Sequence, residues 1–197
     1  MTPPIHYPHT QKSDHVDMYH GKAVADPYRW LEETDSAQTR TWIEAQNQVT
    51  NSFLESLSQR EEIRQRLTAL WDFPKVSPPY RIGGRYFQLR NNGLQNQDVL
   101  VMFESFDDEP TVLLDPNTLS DDGTVALASW SVSDDGRWLA YATSAGGSDW
   151  MTWHVRDVST QHDLPDEVLW AKFSGAAWDH ESAGFYYSRY AAPTEGK

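Results

Sequence analysis

A weakly repeated strand-and-turn pattern constrains the fold of this chain more than any other feature. The stretch Gly84–Phe87 (GRYF) returns about 50 residues later as Gly136–Leu139 (GRWL). A looser copy of Asp134–Tyr141 then follows at Asp179–Tyr187. A four-stranded unit that recurs every ~40–50 residues is typical of β-propeller blades. Strands at this pitch also occur in β-sandwiches, so the repeat alone leaves that architecture open.

The repeat lies in the part of the chain after Pro74. Short strands such as Val99–Phe103 alternate there with turn signals such as Gly83–Gly84. The roughly 125 residues after Asp72 hold about two and a half four-stranded units, whereas a closed propeller has about 4–8 blades. An open stack of blades would leave an unpaired edge and an unfilled apolar face. We therefore expect the sequence to be the front part of a protein that continues past Lys197.

Two helices are predicted before Pro74, after a polar and extended arm. Asp35 and Gln38 have the spacing of a capping box, and Ser58 with Glu61 repeats that signal. Apolar residues recur at helical spacing behind both signals, at Trp42, Val49, Phe53 and Leu57 and then at Ile63, Leu67 and Leu70. Because such helices are stabilised mostly by packing, we expect the Trp42 face to stay exposed unless a missing part of the protein covers it.

Composition excludes several classes of partner. The 197 residues carry a formal net charge of −13, which argues against nucleic acid and against anionic membrane surfaces. There is no cysteine, no basic leader and no apolar run long enough to span a membrane. We expect a cytoplasmic protein. The histidines near the start of the chain match no recognised metal-ligand spacing, so no metal site is predicted.

The residues themselves reveal no active site. A G-x-S-x-G elbow is absent, and the nearest stretch, Gly146–Trp150, has tryptophan where the last glycine should be. Motifs for metalloproteases, nucleotide phosphates and calcium are absent as well, so no cofactor is expected. Neighbouring acidic residues, such as Asp134 and Asp135, have the composition of solvated turns.

Several short stretches, in order and at matching intervals, carry a family resemblance. They are Asp17–Gly21, Asp26–Glu32, Ala45–Asn47, Gly93–Gln97, Leu114–Asn117, Leu119–Thr124, Gly147–Trp150 and Lys172–Ser174. Together they resemble the N-terminal part of the prolyl oligopeptidases, a family of post-proline serine peptidases. The stretches cover nearly the whole chain.

The resemblance implies a mainly β fold with an N-terminal α-helical segment. Residues 1–72, the arm and two helices, would belong to the α/β-hydrolase peptidase domain of the family. Residues 73–197 would form the first two to three blades of a seven-bladed propeller, which is therefore incomplete. In the family, the propeller covers the active site and restricts entry to short peptides. The break at Pro74, read from the residues alone, agrees with this division.

The resemblance also implies roles for individual residues. The catalytic Ser, Asp and His of the family lie beyond Lys197, so no catalytic residue is expected in this chain. Phe173 would line the substrate pocket from the propeller side, although it could also be an ordinary core residue. Asp149 and Trp150 would lie near the domain interface, although a plain turn-and-strand role is open for both.

Two functional hypotheses follow from this reading. In the first, the chain supplies scaffold, lid and part of the pocket to an enzyme that cleaves short peptides after proline. Its partners would then be proline-containing peptides, the C-terminal peptidase domain and the remaining blades. In the second, the chain is a stand-alone propeller-type binding module without catalysis.

Overall fold

The computed structural model describes residues 5–192, which divide into two compact units, one ending at Leu67 and one beginning at Thr68. The first unit contains β1 (Val16–Tyr19), β2 (Lys22–Ala25), a short 3-10 helix (Arg29–Glu32) and α1 (Ala37–Glu55). Helix α2 (Arg60–Trp71) follows and ends just before the predicted break at Pro74. The assignment of residues 1–72 and 73–197 to different domains stays a prediction.

Strands β1 and β2 form a hairpin inside the segment that we expected to be an extended arm. Tyr19 pairs with Lys22 across a two-residue loop, in which His20 and Gly21 have positive φ values of 49° and 79°. This is the type I′ turn, whose twist matches that of a hairpin. Histidine at the first loop position hides the signal, because asparagine, aspartate and glycine are the residues usually found there.

The Arg29 side chain ties this hairpin to the 3-10 helix. Its guanidinium group pairs with Asp17 of β1 and with Asp26, at 3.0 Å between Nε and Oδ2. It also pairs with Glu32, at 3.0 Å between Nη1 and Oε2. Hydrogen bonding to His15 and attraction to Arg29 lower the pKa of Asp17. Since these groups are open to solvent, the cluster fixes geometry more than it adds stability.

Helix α1 begins one residue later than the predicted capping box. Ser36 is the N-cap, and its Oγ accepts a hydrogen bond from the backbone N–H of Thr39 at 3.1 Å. Thr39 is buried, and its hydroxyl donates to the carbonyl of Trp30 at 3.1 Å. Asp35, expected to be the cap, pairs instead with Arg40 at 3.0 Å. A shift of one residue between neighbouring cap-forming side chains is below what sequence spacing resolves.

The arm before the hairpin covers the Trp42 face of α1. The indole N–H of Trp42 donates to the Thr10 hydroxyl at 2.9 Å, and that of Trp30 donates to the Gln11 carbonyl at 3.0 Å. Trp42, Val49 and Phe53 are consequently half-buried, whereas Leu57 keeps 38% of its surface, so the face that we expected to be exposed is covered in part. The apolar stripe that is exposed belongs to α2, where Ile63 and Leu67 keep 56% and 55% of their surface.

The second unit contains three successive antiparallel sheets. The first is formed by β3 (Lys75–Val76), β4 (Tyr80–Ile82), β5 (Arg85–Asn91), β6 (Val99–Phe103) and β7 (Thr111–Leu114). The second is formed by β8 (Val125–Val132), β9 (Trp138–Ala145), β10 (Met151–Asp157) and β11 (Asp163–Ala171). The third contains β12 (Ala177–Trp178) and β13 (Phe185–Tyr186). In each sheet the strands follow one another as a meander, with β3 and β4 sharing one edge of β5.

The second sheet is covered on both faces, and alternate residues of β9 serve the two sides. Leu139 and Tyr141 pack in a core cluster with residues of the first sheet. Ala140 and Ala142 pack in a second cluster, which also receives side chains from β12 and β13. Successive side chains of a strand point to opposite faces, so one strand can serve two interfaces. This face-to-face stacking of sequential meanders is the arrangement of propeller blades, not of a two-sheet sandwich.

A polar tie also joins the first two sheets. Arg156 of β10 donates to the backbone carbonyl of Leu113 at 2.7 Å, and it holds both carboxylate oxygens of Asp163 at 2.7 and 2.8 Å. The Tyr141 ring stacks beside this group on His154, with 5.1 Å between ring centroids. Burial, and then the Asp163 carboxylate, raise the pKa of Tyr141 to about 12.

The two stretches of the predicted repeat begin at turns of different length. Ile82 pairs with Arg85 across a two-residue turn in the first sheet. In the second sheet, a longer turn brings the backbone N–H of Ser133 to the carbonyl of Trp138 at 2.9 Å. The matching glycines, Gly84 and Gly136, therefore lie in turns of different length.

The predicted fold class is confirmed: a mainly β chain follows an N-terminal helical segment, and its sheets stack as successive blades. Residues 75–192 form two full sheets and a two-stranded third one. Because a closed propeller has about 4–8 blades, these sheets make an incomplete propeller, as the sequence predicts.

The turns that open β5 and β9 touch closely enough to test this stacking. Gly83 has a φ of +55°, and a Cβ there would lie 2.4 Å from the Cα of Gly136. Gly84 has a φ of +85°, but a Cβ there would meet nothing within 4 Å. Both Gly→Ala changes add left-handed strain, whereas only Gly83→Ala adds a backbone clash.

We expect Gly83→Ala to lower the free energy of unfolding by about 2 kcal/mol more than Gly84→Ala does. Urea denaturation of the two variants, followed by tryptophan fluorescence, measures the difference. Equal losses would show that the turns of the first two sheets do not meet as described.

Candidate functional site

The predicted site residues lie at one end of the second sheet, around the turn between β9 and β10. Gly146 and Gly147 make this turn with φ values of 58° and 75°. The hydroxyl of Ser148 then accepts from the backbone N–H of Trp150 at 3.1 Å. The turn therefore holds Asp149 and Trp150 beside the end of β11. The last residue of this strand, Ala171, is followed by Lys172 and Phe173.

Lys172 is the residue around which the three predicted residues converge. Its Nζ lies 3.1 Å from Oδ2 of Asp149. The same nitrogen lies 5.3 Å from the ring centroid of Trp150 and 5.1 Å from that of Phe173. We call Lys172, Asp149, Trp150 and Phe173 the Lys172 cluster. In the sequence, Lys172 stands out only as a neighbour of Phe173, because residue spacing does not show that β11 ends beside the β9–β10 turn.

Phe173 projects from the end of the sheet. Its backbone has a φ of 53°, and its side chain keeps 78% of its surface exposed. The next residue is anchored, since the hydroxyl of Ser174 accepts from the backbone N–H of Ser188 at 3.0 Å. An exposed aromatic ring on a fixed backbone can receive an apolar side chain of a ligand. Its role in a substrate pocket stays a prediction.

Trp150 is more deeply packed than Phe173. Its ring makes edge contacts with Trp170 and Tyr190, at centroid distances of 5.8 and 5.9 Å. Trp150 is half-buried in this aromatic group, whereas Asp149 is exposed. The predicted interface role of the two residues remains a prediction for both.

A small cleft of about 360 Å³ opens next to the cluster. Phe173 and Asp149 lie on its edge, and the walls include Ser129, Ser144 and Met151. A mixed lining of hydroxyl groups and apolar surface is suited to a short peptide segment. We call this space the Phe173 cleft.

A larger cavity of about 660 Å³ lies between the second and third sheets, and the sequence did not predict it. Trp153, Trp178 and Phe185 contribute to its lining. Trp153 is 1% exposed, and its indole nitrogen has no hydrogen-bond partner among the described residues. Within the described residues the third sheet has two strands, whereas the first two sheets have at least four each.

The described residues offer no catalytic constellation at either place. The histidine closest in sequence to the β9–β10 turn, His154, stacks on Tyr141 and lies 3.3 Å from the Thr143 hydroxyl. Within residues 5–192, no group of three His, Asp or Glu side chains is arranged to hold a metal ion. In the same range, no helix is long and apolar enough to cross a membrane. The exposed Phe173 ring and the cleft beside it can receive a ligand.

Truncating Phe173 distinguishes a binding role from a core role. A surface ring adds little to stability, so we expect Phe173→Ala to lower the free energy of unfolding by less than about 1 kcal/mol. Trp153→Ala is the matched control, because removal of a buried tryptophan costs about 3–5 kcal/mol. Thermal and urea unfolding measure both. A loss of several kcal/mol for Phe173→Ala would make it a core residue.

Comparison with known proteins places this chain in a family. The sequence model described as "Prolyl oligopeptidase, N-terminal beta-propeller domain" matches residues 8–197. A prolyl endopeptidase of Elizabethkingia miricola is 37% identical over 98% of this chain, which corresponds to 27% of that protein. Prolyl oligopeptidase A of Amanita bisporigera is 35% identical over 95% of this chain and 28% of its own length.

Solved structures give the same result. One structure, from a study of two prolyl endopeptidases, superposes with a TM-score of 0.83 at 35% identity and covers 98% of this chain and 28% of its own. Prolyl oligopeptidase B from Galerina marginata, bound to a 35mer hydrolysis and macrocyclization substrate, superposes with a TM-score of 0.75 at 34% identity. That match covers 95% of this chain and 30% of the other.

The chain thus spans between a quarter and a third of the length of these relatives. The family match includes both units of the fold and every member of the Lys172 cluster. This chain belongs to the prolyl oligopeptidase family, and it corresponds to the N-terminal β-propeller part of that family.

Proposed function

We propose that this chain serves a serine-type prolyl oligopeptidase that hydrolyses short peptides on the carboxyl side of proline. The observation that carries the proposal is the match over nearly the whole chain to proteins named prolyl endopeptidase, in sequence and in fold. In this proposal the chain contributes scaffold, a propeller lid and part of the substrate pocket. The chain by itself is inactive.

The chemistry of such an enzyme explains why the chain alone is inactive. Acyl transfer requires a serine nucleophile, a histidine that removes its proton, an aspartate that orients the histidine, and donors for the oxyanion. Residues 5–192 contain no such arrangement, and the family's catalytic residues lie in a C-terminal peptidase domain. Residues 1–72 pack with that domain in our proposal, and the exposed stripe of α2 (Ile63, Leu67 and Leu70) gives them an apolar surface for it.

The Phe173 cleft is the part of the pocket that we assign to this chain. The exposed face of Phe173 packs against an apolar side chain of the bound peptide. Asp149 and Trp150 face the peptidase domain, and Asp149 also lines the cleft. The remaining blades complete the lid, and the absence of cysteine is in keeping with the cytoplasmic location that we propose for the enzyme.

The product of the complete reading frame that encodes this chain tests the proposal. We expect it to hydrolyse a blocked glycyl-prolyl amide, to leave the glycyl-alanyl analogue intact, and to be inactivated by a serine-directed acylating reagent. The purified 197-residue chain should release no product above buffer from the same substrates.

Two outcomes would contradict the proposal. Turnover by the purified 197-residue chain, abolished by the serine reagent, would place the active site within these residues. Peptide binding without hydrolysis by the complete product would favour the alternative of a propeller-type binding module.

A further inference from the structure

Lys172 makes an unusual set of contacts for a lysine at the surface. Its side chain is 28% exposed, and its ammonium group lies between the rings of Trp150 and Phe173 while it pairs with Asp149. A lysine usually extends its charge into water and makes few lasting contacts. Here one cation connects an acidic residue, a packed aromatic ring and a free one.

The backbone on which Lys172 stands is fixed on two sides. Ala171 is fully buried, and it pairs with Met151 on one side and Arg189 on the other. The backbone N–H of Tyr190 donates to the carbonyl of Trp170 at 2.9 Å. The Cα of Lys172 therefore has little freedom, and its four-carbon stem places the ammonium group at a defined point beside Asp149.

Phe173, by contrast, has few restraints of its own. Its ring is 78% exposed, and within the described residues its only aromatic-type contact is the one with the Lys172 ammonium group. An exposed phenylalanine can occupy several rotamers. Binding to only one of them is weakened, because the side chain loses conformational freedom when the ligand binds. Something must select one orientation if this ring is to meet a ligand repeatedly.

We propose that Lys172 is a positioning residue that holds the Phe173 ring in its substrate-receiving orientation. The ammonium group attracts the face of the ring, and Asp149 and Trp150 hold the ammonium group in place. Lys172 touches no reacting atom and acts only through Phe173. This inference rests on the proposed function, because it requires Phe173 to contact the bound peptide.

The proposal predicts an effect on binding and not on chemistry. Loss of the cation frees the ring in the unbound enzyme, so KM rises while kcat stays nearly constant. One exposed cation–π contact corresponds to about a three- to fivefold change in an equilibrium constant. The Asp149 contact is open to solvent, so added salt weakens the anchor and raises KM in the wild-type protein.

The experiment uses the complete reading-frame product and a blocked glycyl-prolyl amide substrate. Lys172→Met keeps the aliphatic stem and removes the charge, and we expect KM to rise about fourfold with kcat within about twofold. Lys172→Arg keeps a cation that can lie over a ring, and KM should return to within about twofold of wild type. Lys22→Met, at an exposed position of the first unit, is the control for loss of a lysine and should leave KM unchanged.

The Phe173→Ala background separates this inference from the function on which it rests. If Lys172 acts through the ring, Lys172→Met should add no further rise in KM once the ring is absent. An unchanged KM in Phe173→Ala alone would instead show that the ring is not part of the pocket, which is a failure of the proposed function.

A raised KM in Phe173→Ala together with an unchanged KM in Lys172→Met would overturn the positioning role and leave the pocket assignment in place. An equal rise from Lys172→Met in both backgrounds would overturn it too, since the effect would then not pass through Phe173. Should Lys172→Met fail to fold, the salt titration decides: KM of the wild type should rise between 0.05 and 1 M NaCl, by about two- to threefold. The KM of Phe173→Ala over the same range is the control. If KM of the wild type rises no more than KM of this variant, the proposal is contradicted.

Discussion

The second sheet has to bury both of its faces, and this requirement governs most of the structure. β9 meets it by alternating large and small residues, with Leu139 and Tyr141 towards the first sheet and Ala140 and Ala142 towards the third. The small residues make room for Trp153, which pairs with Ala142 on the neighbouring strand and fills the interface on that side. A protein interior is close-packed, so small side chains on one strand have to be matched by a large side chain on the next. A larger residue at Ala142 would push the two sheets apart.

The packing of this sheet fixes the positions of the residues of the Lys172 cluster at its end. A turn between two strands that are packed on both faces cannot drift, so Asp149 and Trp150 keep their positions relative to the end of β11. Two residues at and just after the end of β11 have positive φ values, Trp170 at 65° and Phe173 at 53°. Such conformations are unfavourable for residues other than glycine, and they concentrate at binding sites where the surrounding structure enforces them. The backbone position of Phe173 is thus imposed by the sheet that supports it, whereas its ring stays exposed.

The sequence predicted the individual strands and helices of this fold better than the contacts and turns that join them. Val99–Phe103 is a strand with the predicted limits because a short apolar run between turn signals has few alternatives. Gly84 and Gly136 match in sequence but lie in turns of different length, because turn length depends on backbone angles that residue identity only partly specifies. The partner of Trp42 was missed for a different reason. The hydrogen bond from its indole to Thr10 joins residues 32 positions apart, and no local pattern encodes it.

The same limits apply to the site. Phe173, Asp149 and Trp150 were found through resemblance, and physical reasoning from the residues would have treated each as an ordinary turn or strand residue. Lys172 shows why. A lysine beside a phenylalanine has no significance in sequence, and it acquires one only when a strand end and a distant turn bring a carboxylate and an indole to the same ammonium group.

Within the described residues, the third sheet covers the second sheet only in part. Two strands cover part of the second sheet, and a cavity of about 660 Å³ remains beside Trp153. Trp153 lines this cavity, and its indole N–H has no hydrogen-bond partner among the described residues. In the first two sheets the corresponding space is filled by third and fourth strands, such as β6 with its buried Leu100. Each sheet thus packs one face on the sheet before it and leaves the other face for the sheet that follows, as β9 shows with its two sets of side chains.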